Sequence, residues 1–146
     1  MTNDRSLKNV FSIFEEIASN HKQINDFGKG SISRINGEYE LKHPTLWVDI
    51  QPSTVQKNVV VMNFNVYIMD LVDQADFAEE DIHSDTMFIM QDIIVLLKKK
   101  RLISENYDIP ITPFHHKFND RVAGWIGVFS VRVPYNYGEC DIPYIV

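Results

Sequence analysis

Apolar residues recur at helical spacing in two stretches of the chain and alternate with polar ones in several others, and this contrast lays out its elements. From Asp4 to Asn20, Leu7, Val10, Phe11, Phe14 and Ile17 recur every three or four residues. That spacing predicts an amphipathic helix with a single apolar stripe. Asn3, Asp4 and Ser6 each carry a side-chain oxygen suited to its N-cap. A second helix is predicted from Glu79 to Lys99, where Ile82, Thr86, Ile89, Met90, Ile93 and Leu97 fall on one face. Its acids lie in the first turns and Lys98-Lys99-Lys100-Arg101 closes it, a polarity that matches the helix macrodipole at both ends.

Between and after the helices the period changes to two. Phe27 to Ile35 is a glycine-punctuated stretch with Phe27, Ile32 and Ile35 as apolar marks, and Asn36-Gly37 behind it is a hairpin-turn signal. His43-Pro44 opens a fresh segment, since a proline at a strand's first position loses no ladder bond. Thr45 to Gln51 sets Leu46, Val48 and Ile50 against Trp47, Asp49 and Gln51, a half-buried strand that Pro52-Ser53 is expected to end. Val59 to Val72 is β-rich, with Val60, Met62, Phe64, Val66 and Ile68 on one face. Its other face mixes Val59, Val61, Asn63, Asn65, Tyr67 and Met69, a pattern that predicts partial cover. Tyr107 to Phe118 contains Pro110 and Pro113 and must therefore be an edge or bulged strand. Asn119-Asp120 turns the chain into Val122–Val133, with Trp125, Phe129, Val131 and Val133 on one face. Gly124 and Gly127 there predict a bend or close packing by a neighbour.

The order is helix, three strands, helix, two strands. Short connections favour antiparallel pairing, and two amphipathic helices must cover a sheet face. The predicted class is α+β: a mainly antiparallel sheet of about five strands covered by two helices. A length of 146 residues fits a single domain over 1–146, with 134–146 as an extended C-terminal tail. No internal repeat, low-complexity tract or linker divides it.

Composition adds constraints. The formal charge of −6 argues against a protein whose main task is gripping phosphates. One cysteine, Cys140, precludes an internal disulfide and fits a reducing compartment. No apolar run approaches a membrane span and nothing resembles a signal peptide, so a soluble protein that makes no membrane contact is expected. Aromatic residues reach 12%, enough for a filled core and for contact surfaces besides.

Candidate chemistry is sparse. Gly28-Lys29-Gly30 lacks the later glycines and the Lys-Ser/Thr ending of a phosphate loop, leaving a flexible lead into a strand. His115-His116 is the most tempting metal pair, yet neighbours on a strand point to opposite faces. Cys140 lies beside Glu139 and Asp141, which raise a thiol pKa rather than activate it. From Asp70 to Asp92 the chain holds eight of its twenty acids and no lysine or arginine, without calcium-loop spacing. Asp73, Asp76, Glu79 and Glu80 fit a solvated loop and a helix N-terminus. Lys98 and Lys99, within the basic run to Arg101, either cap the helix or touch DNA or an acidic partner. No enzyme constellation emerges, and no cofactor or metal is expected.

Several segments together resemble a known family. Leu46-Trp47-Val48-Asp49-Ile50-Gln51-Pro52-Ser53 is followed by Asn63-Phe64-Asn65-Val66-Tyr67-Ile68-Met69-Asp70 and Asp81-Ile82-His83-Ser84-Asp85-Thr86. Val122-Ala123-Gly124-Trp125-Ile126-Gly127-Val128-Phe129 then leads to Arg132-Val133-Pro134. From about Leu7 to Pro143, this succession resembles small neck proteins of tailed bacteriophages, of the tail-terminator, tail-completion or connector-ring type, most of all those of crAss-like phages. The resemblance implies a sixfold or twelvefold ring of identical subunits between portal and tail, bordering adjacent portal, ring or tail proteins. It implies a virion component, made in the cytoplasm of a bacterial host, whose channel passes genomic DNA non-specifically. No family motif names a site. The acids Asp70, Asp73, Asp76, Glu79 and Glu80 are the expected channel lining or ring-to-ring contact. Tyr135, Tyr137 and Tyr144, in the apolar tail, suit docking on an adjacent subunit or packing back on their own sheet. The alternative expectation is a small non-catalytic adaptor or ligand-binding module.

Overall fold

The computed structural model describes residues 7–36, 41–72, 79–117 and 122–134. Both helical patterns fold where their spacing places them: α1 is Leu7–Asn20 and α2 is Glu79–Lys99. α1 buries Val10, Phe14, Ile17 and Ala18, whereas Leu7 at its start stays 39% exposed. α2 buries the six positions its periodicity marks, Ile82, Thr86, Ile89, Met90, Ile93 and Leu97. The one polar member, Thr86, donates its hydroxyl to the Ile82 carbonyl at 2.6 Å, which satisfies it without a solvent partner. At the helix end, Leu102 N–H donates to Leu97 O (3.1 Å) and Arg101 N–H to Lys98 O (3.0 Å). This is a Schellman closure, completed by burial of Leu97 and Leu102 together in the core. His21, just past α1, ties the two helices: its Nε2 lies 2.8 Å from Asp92 Oδ2, while Gln23 N–H donates to its Nδ1.

The strands are β1 (Asp26–Lys29), β2 (Thr45–Gln56), β3 (Val59–Leu71), β4 (Ile111–Lys117) and β5 (Val122–Pro134), with a 3-10 helix at Ile32–Asn36. They form one sheet in the order β1-β2-β3-β5-β4. The α+β class and the element order are as the sequence predicts. Every pairing is antiparallel except β1–β2, which runs parallel from Asp26↔Thr45 to Lys29↔Val48. The Asn36-Gly37 signal therefore does not join paired hairpin strands. The chain instead crosses over one face of the sheet, and the 3-10 helix lies in that crossover; Gly37 itself falls outside the described residues, as does Asn119-Asp120.

Pro52-Ser53 does not end β2. The register shifts between Gln51 and Thr54, and pairing resumes to Gln56↔Val59. Side chains bridge the break: Asn63 N–H donates to Ser53 Oγ (3.1 Å) and Asn63 Nδ2 to Pro52 O (2.8 Å). The actual reversal is Lys57-Asn58, with Asn58 at φ 64°, a left-handed conformation that asparagine adopts readily. β4, with Pro113 inside it, lies at the sheet edge and shifts register between Phe114 and Lys117, as its prolines require.

Both helices cover the same face. Leu46, Val48, Phe64, Val66, Ile68, Phe129, Val131 and Val133 meet them there, with Phe14 set edge-on to Phe64 at 5.7 Å and to Phe129 at 6.3 Å. The opposite face is not bare. Trp47, Tyr67, Met69, Phe114 and Val122 form a second cluster with Ile35 of the 3-10 helix. Trp47, on the half of its strand that alternation leaves outward, is only 1% exposed, and its indole N–H donates to Gly30 O at 3.0 Å. Gly28 makes that possible, since a Cβ there would stand 2.1 Å from the indole ring. The rest of this face, including Asp49, Asn63, Asn65 and Val128, is partly or fully open to solvent.

Candidate functional site

The sequence points to two charged groups, and the structure separates them. Glu79 and Glu80 occupy the first turn of α2, Lys98 and Lys99 its last. At 1.5 Å per residue the two sets are about 30 Å apart, so they cannot form one surface patch. Glu80 and Lys99 are exposed; Glu79 and Lys98 are partly buried. Asp70 lies near the end of β3, opposite Ala123. Burial pushes its carboxyl above the ordinary aspartate range, and nearby Asp85 adds to the rise. A hydrogen bond from Leu71 N–H (2.8 Å) and the nearness of His43 oppose it. Asp73, Asp76, Tyr135, Tyr137, Tyr144 and Cys140 lie outside the described residues.

His115 is committed within the fold. Its Nδ1 lies 3.1 Å from Glu79 Oε2, and its ring stands 4.7 Å from that of His83. His83 Nε2 is 3.0 Å from the Phe114 carbonyl, and the Trp125 indole N–H donates to the His83 carbonyl at 2.8 Å. The group pins the first turns of α2 to β4 and β5. Among the described residues, no three His, Cys, Asp or Glu side chains gather as a metal ion would need. None of the described helices is long and apolar enough to cross a membrane.

Lys98 belongs to a different feature, one that sequence reasoning missed. Beyond the C-terminal end of α2, a half-open cleft of about 600 Å³ lies between the turn at Arg101–Glu105 and the β3–β5 ladder. Lys98, Arg101 and Arg132 line it along with Glu105, and Leu102 and Ile103 form its buried apolar floor. Lys98 Nζ donates to the Glu105 carbonyl at 3.2 Å, which holds the turn against the helix. On the sheet side Tyr107 OH approaches Ser130 Oγ (3.5 Å), and Ser130 in turn donates to Asn63 Oδ1 at 2.7 Å. The basic run was visible in the sequence. Its juxtaposition with Arg132, the one lysine or arginine on β5, depends on strand order and is not.

Apolar side chains also remain on the outside. Phe88 and Val95, two turns apart on the outer face of α2, are 62% and 63% exposed. Val55 near the β2–β3 turn is 70% exposed, and Leu71 and Val128 are about half exposed. No protein-family model matches the chain, and no curated protein matches its sequence.

Proposed function

We propose that this chain is a structural, non-catalytic subunit of a tailed-phage neck, assembling into a ring between portal and tail. The observation that carries the reading is the distribution of exposed apolar side chains. Phe88 and Val95 share the outer face of α2, and Val55 stands near the β2–β3 turn; a lone monomer leaves all three largely in water. A subunit with neighbours on two sides buries such surfaces; a monomer gains nothing from them. The resemblance of segments Leu46–Ser53, Asn63–Asp70 and Val122–Phe129 to neck proteins supplies the specific form. The net charge of −6 suits a conduit that DNA must pass without adhering. In this reading the protein resides in the virion, and the tail from Tyr135 onward reaches an adjacent subunit.

The test is mass. Purified protein at high concentration is expected to sediment as a closed oligomer of six or twelve copies, and removal of residues 135–146 to reduce it to smaller species with the melting transition preserved. A monomer at every concentration sinks the ring. A truncated chain that no longer folds assigns the tail to its own sheet instead. The cleft beside α2 favours a second reading, a small binding module, because its volume lies within the usual range of ligand sites, about 300–1,000 Å³.

A further inference from the structure

We propose that the outer face of α2 pairs with the same face of a second copy of this chain, antiparallel and about a twofold axis. Ser84, Phe88, Gln91 and Val95 recur there every three or four residues, on the side away from the six positions that the helix buries. Phe88 and Val95 are 62% and 63% exposed, although α2 already packs a full apolar stripe on its own sheet. A single exposed apolar residue is ordinary. Two of them two turns apart, with Gln91 between, repeat the narrow seam along which one helix packs on another.

Charge selects the occupant and its direction. The first turn of α2 carries Glu79, Glu80 and Asp81, and its last turn carries Lys98 and Lys99. A parallel copy would set acid on acid and base on base, with the helix dipoles aligned. An antiparallel copy sets each acidic end on a basic one and opposes the dipoles. The axis that brings Phe88 of each copy over Val95 of the other passes between Gln91 and Asp92, and every further pairing follows from that register. Gln91 meets its own copy, and an amide, donor and acceptor at once, pairs with itself. Asp81 and Lys99 stand about five turns apart and so lie on one flank of the seam, with Asp85 beside them. The register then brings Lys99 of each copy within about one turn of Asp81 and Asp85 of the other. All three residues are exposed. Asp92, near the axis, is held by His21 at 2.8 Å, which draws its carboxylate toward the end of α1. A twofold contact closes on two subunits and does not propagate around a ring, so this pairing needs no ring and goes beyond that reading.

The register is tested in the full-length chain, in a Cys140→Ser background that leaves no other thiol. With a short bis-maleimide, Gln91→Cys is expected to link into a dimer. Ser84→Cys alone is expected to stay unlinked, its two copies standing about 20 Å apart in the pair, whereas Ser84→Cys mixed with Lys99→Cys links. Phe88→Gln is expected to weaken dimerisation, read by sedimentation, about tenfold or more with the melting temperature retained. Val55→Ser, which removes an exposed apolar group away from α2, is expected to leave the dimerisation constant within a factor of about two. No link through Gln91→Cys, an equal link through Ser84→Cys, or unchanged dimerisation in Phe88→Gln overturns the pairing. A lower melting temperature in Phe88→Gln together with no link through Gln91→Cys assigns the stripe to another segment of the same chain, which also overturns it. A dimer as the largest species, linked through Gln91→Cys, supports the pairing while sinking the ring. A closed oligomer of six or twelve copies without that link sinks the pairing and leaves the ring.

Discussion

Asp70 and Gly124 show how far single residues are constrained by what surrounds them. The Asp70 carboxyl is pushed upward by burial, so it holds its proton more tightly in the folded than in the unfolded state. Its contribution to stability is therefore fully present below the ordinary aspartate pKa and is lost as pH rises through the raised folded value. Asp70→Asn keeps an oxygen for Leu71 N–H and removes the charge. It is expected to raise the melting temperature at pH 7, with the gain shrinking toward pH 4 in a series of thermal melts. Gly124 faces a backbone neighbour that cannot yield: a Cβ there would lie 1.9 Å from the Ile68 carbonyl oxygen. Gly124→Ala is expected to destabilise by about 3 kcal/mol, read as a lower urea midpoint with unchanged slope. The sequence flags this glycine as a close approach. For Asp70 it shows a carboxylate in an acidic stretch and nothing of its burial, which depends on how β3 meets α2.

Legibility at the scale of elements follows the length of the period each one carries. α2 repeats its apolar spacing over 21 residues, and all six predicted core positions are buried. β1 is four residues, Asp26–Lys29, too short to carry an alternation, and its parallel pairing with β2 is invisible without the crossover above it. The burial of Trp47 is hidden in the sequence for a related reason. Alternation says which residues share a face but not what covers it, and here the 3-10 helix covers it. Pro52 misled because a proline normally ends a ladder, whereas this strand goes around it through a bulge. Beside the Asn63 Nδ2 bond to Pro52 O, one hydroxyl supports that bulge: Ser53 accepts from Asn63 N–H and donates to Gln51 O at 2.9 Å. Ser53→Ala is expected to reduce stability by about 1 kcal/mol and to speed amide exchange at Asn63. Exchange at Asn63 no faster than in the parent would mean that the ladder holds the bulge unaided.

For the whole molecule, the sequence makes the architecture legible and leaves the cleft hidden. The reason is distance along the chain. A helix is written in neighbours, but Lys98 and Arg132 meet only after β5 has inserted beside β3. The same insertion bears on how the protein comes into being. β3 is the central strand, yet it pairs with β5 from Val59↔Pro134 to Leu71↔Val122, partners drawn from opposite halves of the chain. During synthesis β2 and β3 can close at once through Lys57-Asn58, and β3 must then wait with one edge open while α2 and β4 are made. A nascent chain stalled before Val122 exposes a long apolar strand edge, the state most prone to joining the wrong partner. Its solubility in the cell will accordingly be governed by the speed of translation through α2 and β4 as much as by the stability of the finished fold.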